Sequence, residues 1–223
     1  MKMRIYDMQA PVYNCLKQGN GVVLEESEEG ILLFDRKAGI WILDQKNPET
    51  ACQWIRKHYE PGILVCAAYE AVIQKLLSVF PFKMRRSCFQ VVWDKEAPWV
   101  DWTDLRLATE EDLGMICALY DLENEASLLD IIRSKRLVLA TKDGRLAGFA
   151  GMHPEGSLGL LYVSEACRHQ GVGTRLQLAA IAMAMAWGLV PYAHIFCDNA
   201  ESLSLQKSLG MSFSSDLFGW LKN

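Results

Sequence analysis

The fold is decided by the stretch Leu158-Gly-Leu-Leu-Tyr-Val163, Ser-Glu-Ala-Cys, Arg168-His-Gln-Gly171-Val-Gly173-Thr174. The first run is almost wholly apolar, as expected of a strand that is covered on both faces. The glycines fall where this strand gives way to a long helix, predicted over about 171–188, because glycine allows a tight turn and leaves room for a ligand. The first amides of a helix lack internal partners and lie at the positive end of its dipole. The loop is therefore suited to bind a pyrophosphate, with Arg168 adding a charge-assisted hydrogen bond.

The spacing Arg-x-x-Gly-x-Gly leaves other interpretations open. A purely structural glycine turn would give the same letters. A Rossmann dinucleotide site needs a third glycine and an acidic residue about twenty positions later. Neither that third glycine nor the lysine of a P-loop is present.

The composition of the whole chain excludes several classes of protein. The chain has 223 residues, of which 51% are hydrophobic and 22% charged, and a net charge of -4, which is an ordinary globular balance. The absence of a basic tail argues against nucleic-acid partners. Seven scattered cysteines without metal-ligand spacing predict neither zinc nor disulfides, but reduced thiols in a cytoplasmic protein. No stretch reads as a signal peptide or a membrane span, so we expect no membrane association.

The order of predicted elements divides the chain in two. Each half has a hairpin, a strand, a helix, a strand, a helix and a strand, so residues 22–93 resemble a degraded counterpart of residues 137–221. We predict an N-terminal lobe over 1–94, a polar linker over 95–103 and a C-terminal domain over 104–223. Two unrelated α/β domains would give the same order.

The segments after the long helix extend the pattern. Val190-Pro-Tyr-Ala-His-Ile-Phe-Cys-Asp198 forms a strand, Asn199-Ala-Glu-Ser202 opens a helix, and Ser208-Leu-Gly210-Met-Ser-Phe213 ends it. With these motifs the chain resembles the GNAT superfamily of acyl-CoA N-acyltransferases over about 104–221. The strand letters Leu-Leu-Tyr-Val and the Val-Pro-Tyr before the asparagine are most similar to the glycine N-acyltransferase-like branch.

The resemblance implies an α/β fold with two GNAT-like lobes. Each has a mixed central sheet flanked by helices, in which two parallel strands splay apart to admit the thioester. The N-terminal lobe is expected to be degenerate, since Asp44-Gln-Lys-Asn-Pro-Glu-Thr50 lacks Gly-x-Gly and should hold no second coenzyme.

The resemblance also implies a co-substrate, acetyl-CoA or another acyl-CoA, with no metal. The residues expected to hold its pyrophosphate are Arg168, His169, Gln170, Gly171, Val172, Gly173 and Thr174. The backbone of Leu161, Tyr162 and Val163 would pair with the pantetheine arm as an added strand, and a main-chain N–H at Val163 or Leu161 would polarise the thioester carbonyl. Asn199, with Ser202, would reach the pantetheine, although an asparagine there also suits a helix N-cap.

Direct attack by an amine requires a base. In the branch named above a carboxylate starts the strand before the phosphate loop, but that position is Ser157 here. We therefore nominate Glu155, which would share a face with it if the strand extends that far, and His153 next. The family's tyrosine proton donor is replaced by Gln206. A cysteine nucleophile, Cys167 or Cys197, is a further alternative.

The sequence thus predicts an N-acyltransferase that moves an acetyl or other short acyl group to the amine of a small metabolite, in a monomer or homodimer. A non-catalytic acyl-CoA-binding or sensor protein is the alternative, and a protein or peptide amine is another possible acceptor. The acidic stretch with Asp121, Glu123, Glu125 and Asp130 would favour a cationic amine, although a charged helix face is ordinarily solvated.

Overall fold

The structure, a computed structural model, describes residues 9–223. They form two compact units: the chain up to Asp94 together with Tyr192–Asn223, and Lys95–Pro191. This division differs from the domain prediction, which keeps residues 104–223 together. The physical reason is that the last strands of the chain pair with strands of the N-terminal half.

The first unit is a mixed sheet with four helices among its described residues. Its helices are α1 (Gln9–Lys17), α2 (Pro48–His58), α3 (Glu70–Val79) and α7 (Ala200–Leu209), and its strands are β1 (Gly21–Ser27), β2 (Gly30–Asp35), β3 (Ile40–Gln45), β4 (Leu64–Ala67), β5 (Met84–Val92), β10 (Tyr192–Phe196) and β11 (Ser212–Lys222). The seven strands follow the order β1-β2-β3-β4-β11-β5-β10. Only the β3–β4 pair is parallel, so β11 lies in the middle of the sheet and β10 at its edge.

The second unit is an antiparallel sheet covered by helices. It contains the strands β6 (Leu105–Leu107), β7 (Leu137–Lys142), β8 (Arg145–Met152) and β9 (Leu158–Val163) and the helices α4 (Leu113–Leu119), α5 (Glu125–Arg133) and α6 (Val172–Ala186). The strands pair in the order β6-β7-β8-β9, so β9 is an edge strand. A buried cluster that includes Ile116, Ile131 and Phe149 joins α4 and α5 to the sheet. β9 and β10, which precede and follow α6 in the chain, thus belong to different sheets.

Local signals set several element boundaries. Asn47 caps α2, since its Oδ1 accepts hydrogen bonds from the amides of Glu49 and Thr50. A capping box begins at Thr109, whose amide donates to Asp112 at 2.8 Å. These boundaries follow from residue types that ordinarily cap helices.

Helix α1 was missed by the sequence analysis. Pro11 lies in its first turn, where proline is tolerated, and the helix is held by burial of Ala10 and Cys15, both fully inaccessible. Tertiary packing therefore overrides a weak local pattern. Among residues 9–223, no helix is long and apolar enough to cross a membrane.

Candidate active site

The predicted phosphate loop ends at an uncapped helix start. Gly171 is the N-cap of α6, with φ of 80° and no side chain bonded to the helix amides. The Arg175 amide bonds back to the Gly171 carbonyl at 3.0 Å, so the amides of Val172, Gly173 and Thr174 precede the first intrahelical bond. A Cβ built on Gly171 meets nothing within 4 Å. The loop therefore presents main-chain donors to open space.

A second cation lies beside this loop. The ammonium of Lys142, at the end of β7, donates to Gln170 Oε1 at 2.6 Å, and Gln170 Nε2 donates to the Ala166 carbonyl at 2.7 Å. The exposed Arg168 donates through Nε to the Val163 carbonyl at 3.4 Å, which folds its side chain towards β9. Sequence analysis missed Lys142, because nothing local links residue 142 to residue 170.

Strand β9 carries a β-bulge. Its pairing with β8 is regular at Phe149–Tyr162 and Gly148–Val163, breaks, and resumes at Gly151–Gly159. One residue of β8 therefore faces two of β9, and Leu160 takes φ of 52°, a strained value for a leucine. A bulge changes the direction of main-chain groups. This bulge lies in β9, the strand expected to bind pantetheine.

A tight turn connects β8 to β9 and carries both candidate bases. The Gly156 amide donates to the His153 carbonyl and the His153 amide to the Ser157 carbonyl, both at 2.9 Å. Gly156 has φ of 89°, so the turn needs glycine there. Glu155 thus lies in the turn, because β9 begins only at Leu158, so the condition for a shared strand face is not met.

Glu155 nevertheless reaches residue 157. The Ser157 hydroxyl donates to Glu155 Oε1 at 2.5 Å, and Ser157 is 5% exposed. The carboxylate therefore lies next to the position where the family pattern has one. Burial raises the pKa of Glu155, while the charge of His153 and the Ser157 hydrogen bond oppose that rise without cancelling it.

His153 is paired with Glu123. Its Nδ1 lies 2.7 Å from Glu123 Oε1, and both side chains are less than one-fifth exposed. Burial alone would lower the pKa of His153, but the Glu123 hydrogen bond and the negative charge of Glu155 outweigh it, so the pKa lies above its ordinary value. Burial alone would raise the pKa of Glu123, yet hydrogen bonds from His153 and Ser127 hold this pKa below its ordinary value. The pair is thus favoured as imidazolium and carboxylate.

Two neighbours fix the His153 ring in place. A Cβ on Gly159 would lie 2.2 Å from His153 Nε2, so only glycine leaves room for the imidazole. The centroid of the Tyr120 ring lies 6.4 Å from that of the His153 ring. Neither Gly159 nor Tyr120 carries a sequence signal, because their role depends on contacts distant in the chain.

Other predicted site residues belong to the first unit. Asn199 caps α7 through a 3.0 Å hydrogen bond from the Ser202 amide to its Oδ1. Gln206 is 1% exposed, and its Oε1 has no hydrogen-bond partner in the described part of the chain.

The cysteines divide by exposure. Cys167 is buried and Cys197 exposed. The Cys66 thiol lies 3.9 Å from His194 Nδ1, but Cys66 is only 1% exposed. A thiol so buried cannot reach a substrate, which counts against a cysteine nucleophile there. Within residues 9–223, no cluster of three or more histidine, cysteine, aspartate or glutamate side chains could hold a metal ion.

Solved structures with this fold include several acetyltransferases. A GNAT-family acetyltransferase from Novosphingobium aromaticivorans DSM 12444 aligns with a TM-score of 0.63 at 19% identity, covering 96% of each chain. A Drosophila protein aligns with a TM-score of 0.67 at 18% identity, over 86% of this chain and 73% of its own. A tandem GNAT protein from the clavulanic acid biosynthesis pathway aligns with a TM-score of 0.50 at 14% identity, over 91% of this chain and 83% of its own.

At these identities the structures show the fold alone, and no curated protein matches the sequence. The sequence profile of the Acetyltransferase (GNAT) family matches residues 81–211, more than half of the chain. The match spans the uncapped loop, the bulged strand and the turn that carries His153 and Glu155. This protein therefore belongs to the GNAT acetyltransferase family, whose enzymes use an acyl-CoA as co-substrate.

Proposed function

We propose that this protein is an N-acyltransferase that transfers an acetyl or other short acyl group from acyl-CoA to the amine of a small metabolite. The observation that carries the proposal is the start of α6, where unpartnered amides follow Gly171 and no side chain caps them. Such a terminus favours a phosphate. The glycine N-acyltransferase-like branch, the two-lobe organisation and a cytoplasmic location belong to the same proposal.

The loop fits the pyrophosphate of coenzyme A. A Cβ at Gly171 would meet nothing within 4 Å, so there is open space beside the loop. Lys142 and the exposed Arg168 add positive charge close to the loop. Leu161, Tyr162 and Val163 would then pair with the pantetheine arm, since β9 is an edge strand of its sheet.

The reaction needs a group that removes a proton from the amine. Acyl-CoA supplies a thioester activated towards nucleophiles. Glu155 suits the role of base better than His153, because a raised carboxyl pKa lies nearer neutrality. His153 has its pKa raised as well, and Glu123 holds it as a cation that cannot accept the proton. Its charge instead limits the pKa rise of Glu155.

The residues of the acidic stretch do not all remain available for a cationic acceptor. The Glu123 carboxylate is bonded to His153 and to the Ser127 hydroxyl, at 2.7 and 2.6 Å. Glu125 lies in the first turn of α5, where a carboxylate interacts favourably with the helix dipole. We therefore propose that the exposed Asp121, together with Glu155, favours a cationic acceptor.

Calorimetric titration with acetyl-CoA tests the loop, with NAD as a negative control. We expect micromolar binding of acetyl-CoA and none of NAD. Gly171→Ala should weaken acetyl-CoA binding at least tenfold. Gly39→Ala is the matched control, because Gly39 also has positive φ, 67°, and nothing within 4 Å of a Cβ. Equal affinities in the two variants would contradict the loop assignment.

Thiol release in an amine screen tests turnover. Glu155→Gln should lower kcat by about 10² to 10⁴ while acetyl-CoA affinity is retained. Glu111→Gln, an exposed carboxylate of the same unit, should leave kcat unchanged. A Glu155→Gln enzyme as fast as wild type would remove Glu155 from the mechanism.

A non-catalytic acyl-CoA-binding protein is the second candidate. The observation that favours it is Gln206, which is buried and can donate a hydrogen bond but no proton. Binding of acetyl-CoA without thiol release for any amine would support this candidate.

A further inference from the structure

Trp102 is an exposed tryptophan in the segment that leads into β6. It is 45% exposed, and among the described residues no other ring or cation is stacked on it. A single exposed aromatic side chain carries no information by itself. Its place in the fold therefore decides what Trp102 can do.

Arg175 connects this segment to the first turn of α6. Its Nη2 donates to the carbonyl of Thr103 and, at 3.4 Å, to the carbonyl of Asp101, the two residues that flank Trp102 in the chain. The amide of the same arginine bonds to the Gly171 carbonyl at 3.0 Å. One residue thus contacts both the N-cap of the proposed phosphate loop and the backbone on either side of Trp102.

A second connection runs through the end of β7. The Asp104 carbonyl accepts hydrogen bonds from the amide of Thr141 at 2.9 Å and from its hydroxyl at 3.4 Å. The next residue, Lys142, donates to Gln170 of the loop at 2.6 Å. Trp102 therefore lies in a segment that is joined to the surroundings of the loop from two directions, and all these contacts lie within the second unit.

The charges beside Trp102 suit an uncharged ring better than a phosphate. Asp101 and Asp104 are both exposed. A carboxylate repels a phosphate, but it accepts hydrogen bonds from an amino group. In coenzyme A only a ribose separates the pyrophosphate from adenine, which is flat, uncharged and carries an amino group. Every nucleobase has a π-face that can stack on an aromatic side chain.

We propose that the adenine ring of coenzyme A stacks on Trp102 while the pyrophosphate lies against the amides that follow Gly171. This inference rests on the proposed function. The adenine and the thioester are at opposite ends of the co-substrate, so the stack contributes to affinity for the coenzyme and not to the choice of amine. The predicted linker 95–103 thus takes part in coenzyme binding.

Calorimetric titration of Trp102→Ala with three ligands tests the inference. The ligands are acetyl-CoA, acetyl-dephospho-CoA, which keeps the adenine but lacks the 3′-phosphate, and S-acetyl-4′-phosphopantetheine, which lacks the whole adenosine portion. Loss of one base–aromatic stack should weaken binding of the first two ligands about tenfold or more, and should leave the affinity for the third within about twofold of wild type.

Trp187→Ala is the matched control. Trp187 is also 45% exposed and belongs to the same unit, but it is the C-cap of α6, at the opposite end of the helix from the loop. The control should leave all three affinities unchanged. Trp102→Tyr, which keeps an aromatic face, should recover most of the affinity that Trp102→Ala loses.

The outcomes distinguish the two proposals. An unchanged acetyl-CoA affinity in Trp102→Ala would overturn the role of Trp102 alone. An equal loss for all three ligands would overturn it too, because it would show damage to the loop instead of a lost stack. A loss in Trp99→Ala but not in Trp102→Ala would move the adenine to Trp99, which is 84% exposed. A wild-type protein that binds none of the ligands would overturn the proposed function, and this inference with it.

Discussion

Glu155 and His153 lie two residues apart in one turn, and burial acts on them in opposite directions. It disfavours the charged form of each, raising the pKa of the carboxyl and, taken alone, lowering that of the imidazole. Glu123 reverses the effect on His153 through a 2.7 Å hydrogen bond. At the residue scale, the sequence predicted Glu155 and His153 as candidates for the base. The contact of His153 with Glu123, which the sequence did not predict, makes Glu155 the better candidate.

The stability contributed by His153 should depend on pH. Its pKa in the folded protein is raised above the ordinary value of 6.5. Its contribution is therefore fully present below pH 6.5 and is lost as pH rises through the folded pKa. The difference in unfolding free energy between wild type and His153→Gln, measured by urea denaturation, should shrink between about pH 6 and pH 9. A difference that grows over this range would contradict the ion pair.

Gly159→Ala should displace the His153 ring, because the new Cβ would lie 2.2 Å from Nε2. The His153 charge lowers the pKa of Glu155, so moving it away lets that pKa rise. The acid limb of the pH–rate profile should then shift to higher pH. An unshifted acid limb would show that the imidazole does not act on Glu155.

At the scale of elements, local chemistry accounts for most boundaries. The hairpin between β7 and β8 turns at Lys142-Asp-Gly-Arg145, and its central residues Asp143 and Gly144 have φ of 52° and 72°, as a two-residue turn requires. The bulge in β9 has no such local signal. It depends on pairing with β8, which is non-local.

Gly114→Ala should stabilise the protein. Gly114 lies within α4, where a Cβ would meet nothing within 4 Å. Replacing glycine by alanine in a helix gains roughly 0.5–1 kcal/mol. Thermal unfolding should show a raised Tm with unchanged acetyl-CoA affinity. Because the new methyl group of Gly114→Ala meets no neighbouring atom, this variant is also the control for Gly159→Ala. A lower Tm would mean that the glycine is required there.

At the scale of the whole molecule, the end of the chain completes the sheet of its beginning. β11 pairs with β4 on one side and β5 on the other, and its Leu221 is fully buried. The alternation of strands and helices predicted β11 itself. It could not show which sheet the strand joins, because sequence neighbours do not determine distant strand partners.

A chain that stops at Gly210 should therefore lose the fold of the first unit. The truncation removes the strand between β4 and β5 and leaves their main-chain groups unpaired. Circular dichroism and limited proteolysis would follow the loss, and removal of Asn223 alone is the control. Retention of a protease-resistant first unit after the truncation would contradict the central place of β11.

The sequence by itself determined the glycine turn before α6, the cap of α2, the turn between β7 and β8 and the order of most strands and helices. These features depend on the conformations of a few consecutive residues, as Gly171 and Asn47 illustrate. Only the tertiary structure decided that Glu123 meets His153 from thirty residues away, that Gly159 makes room for the His153 ring, and that β11 lies between β4 and β5. Most of those contacts join segments that are distant in the chain, and their formation depends on the packing of the whole unit, which no local pattern encodes.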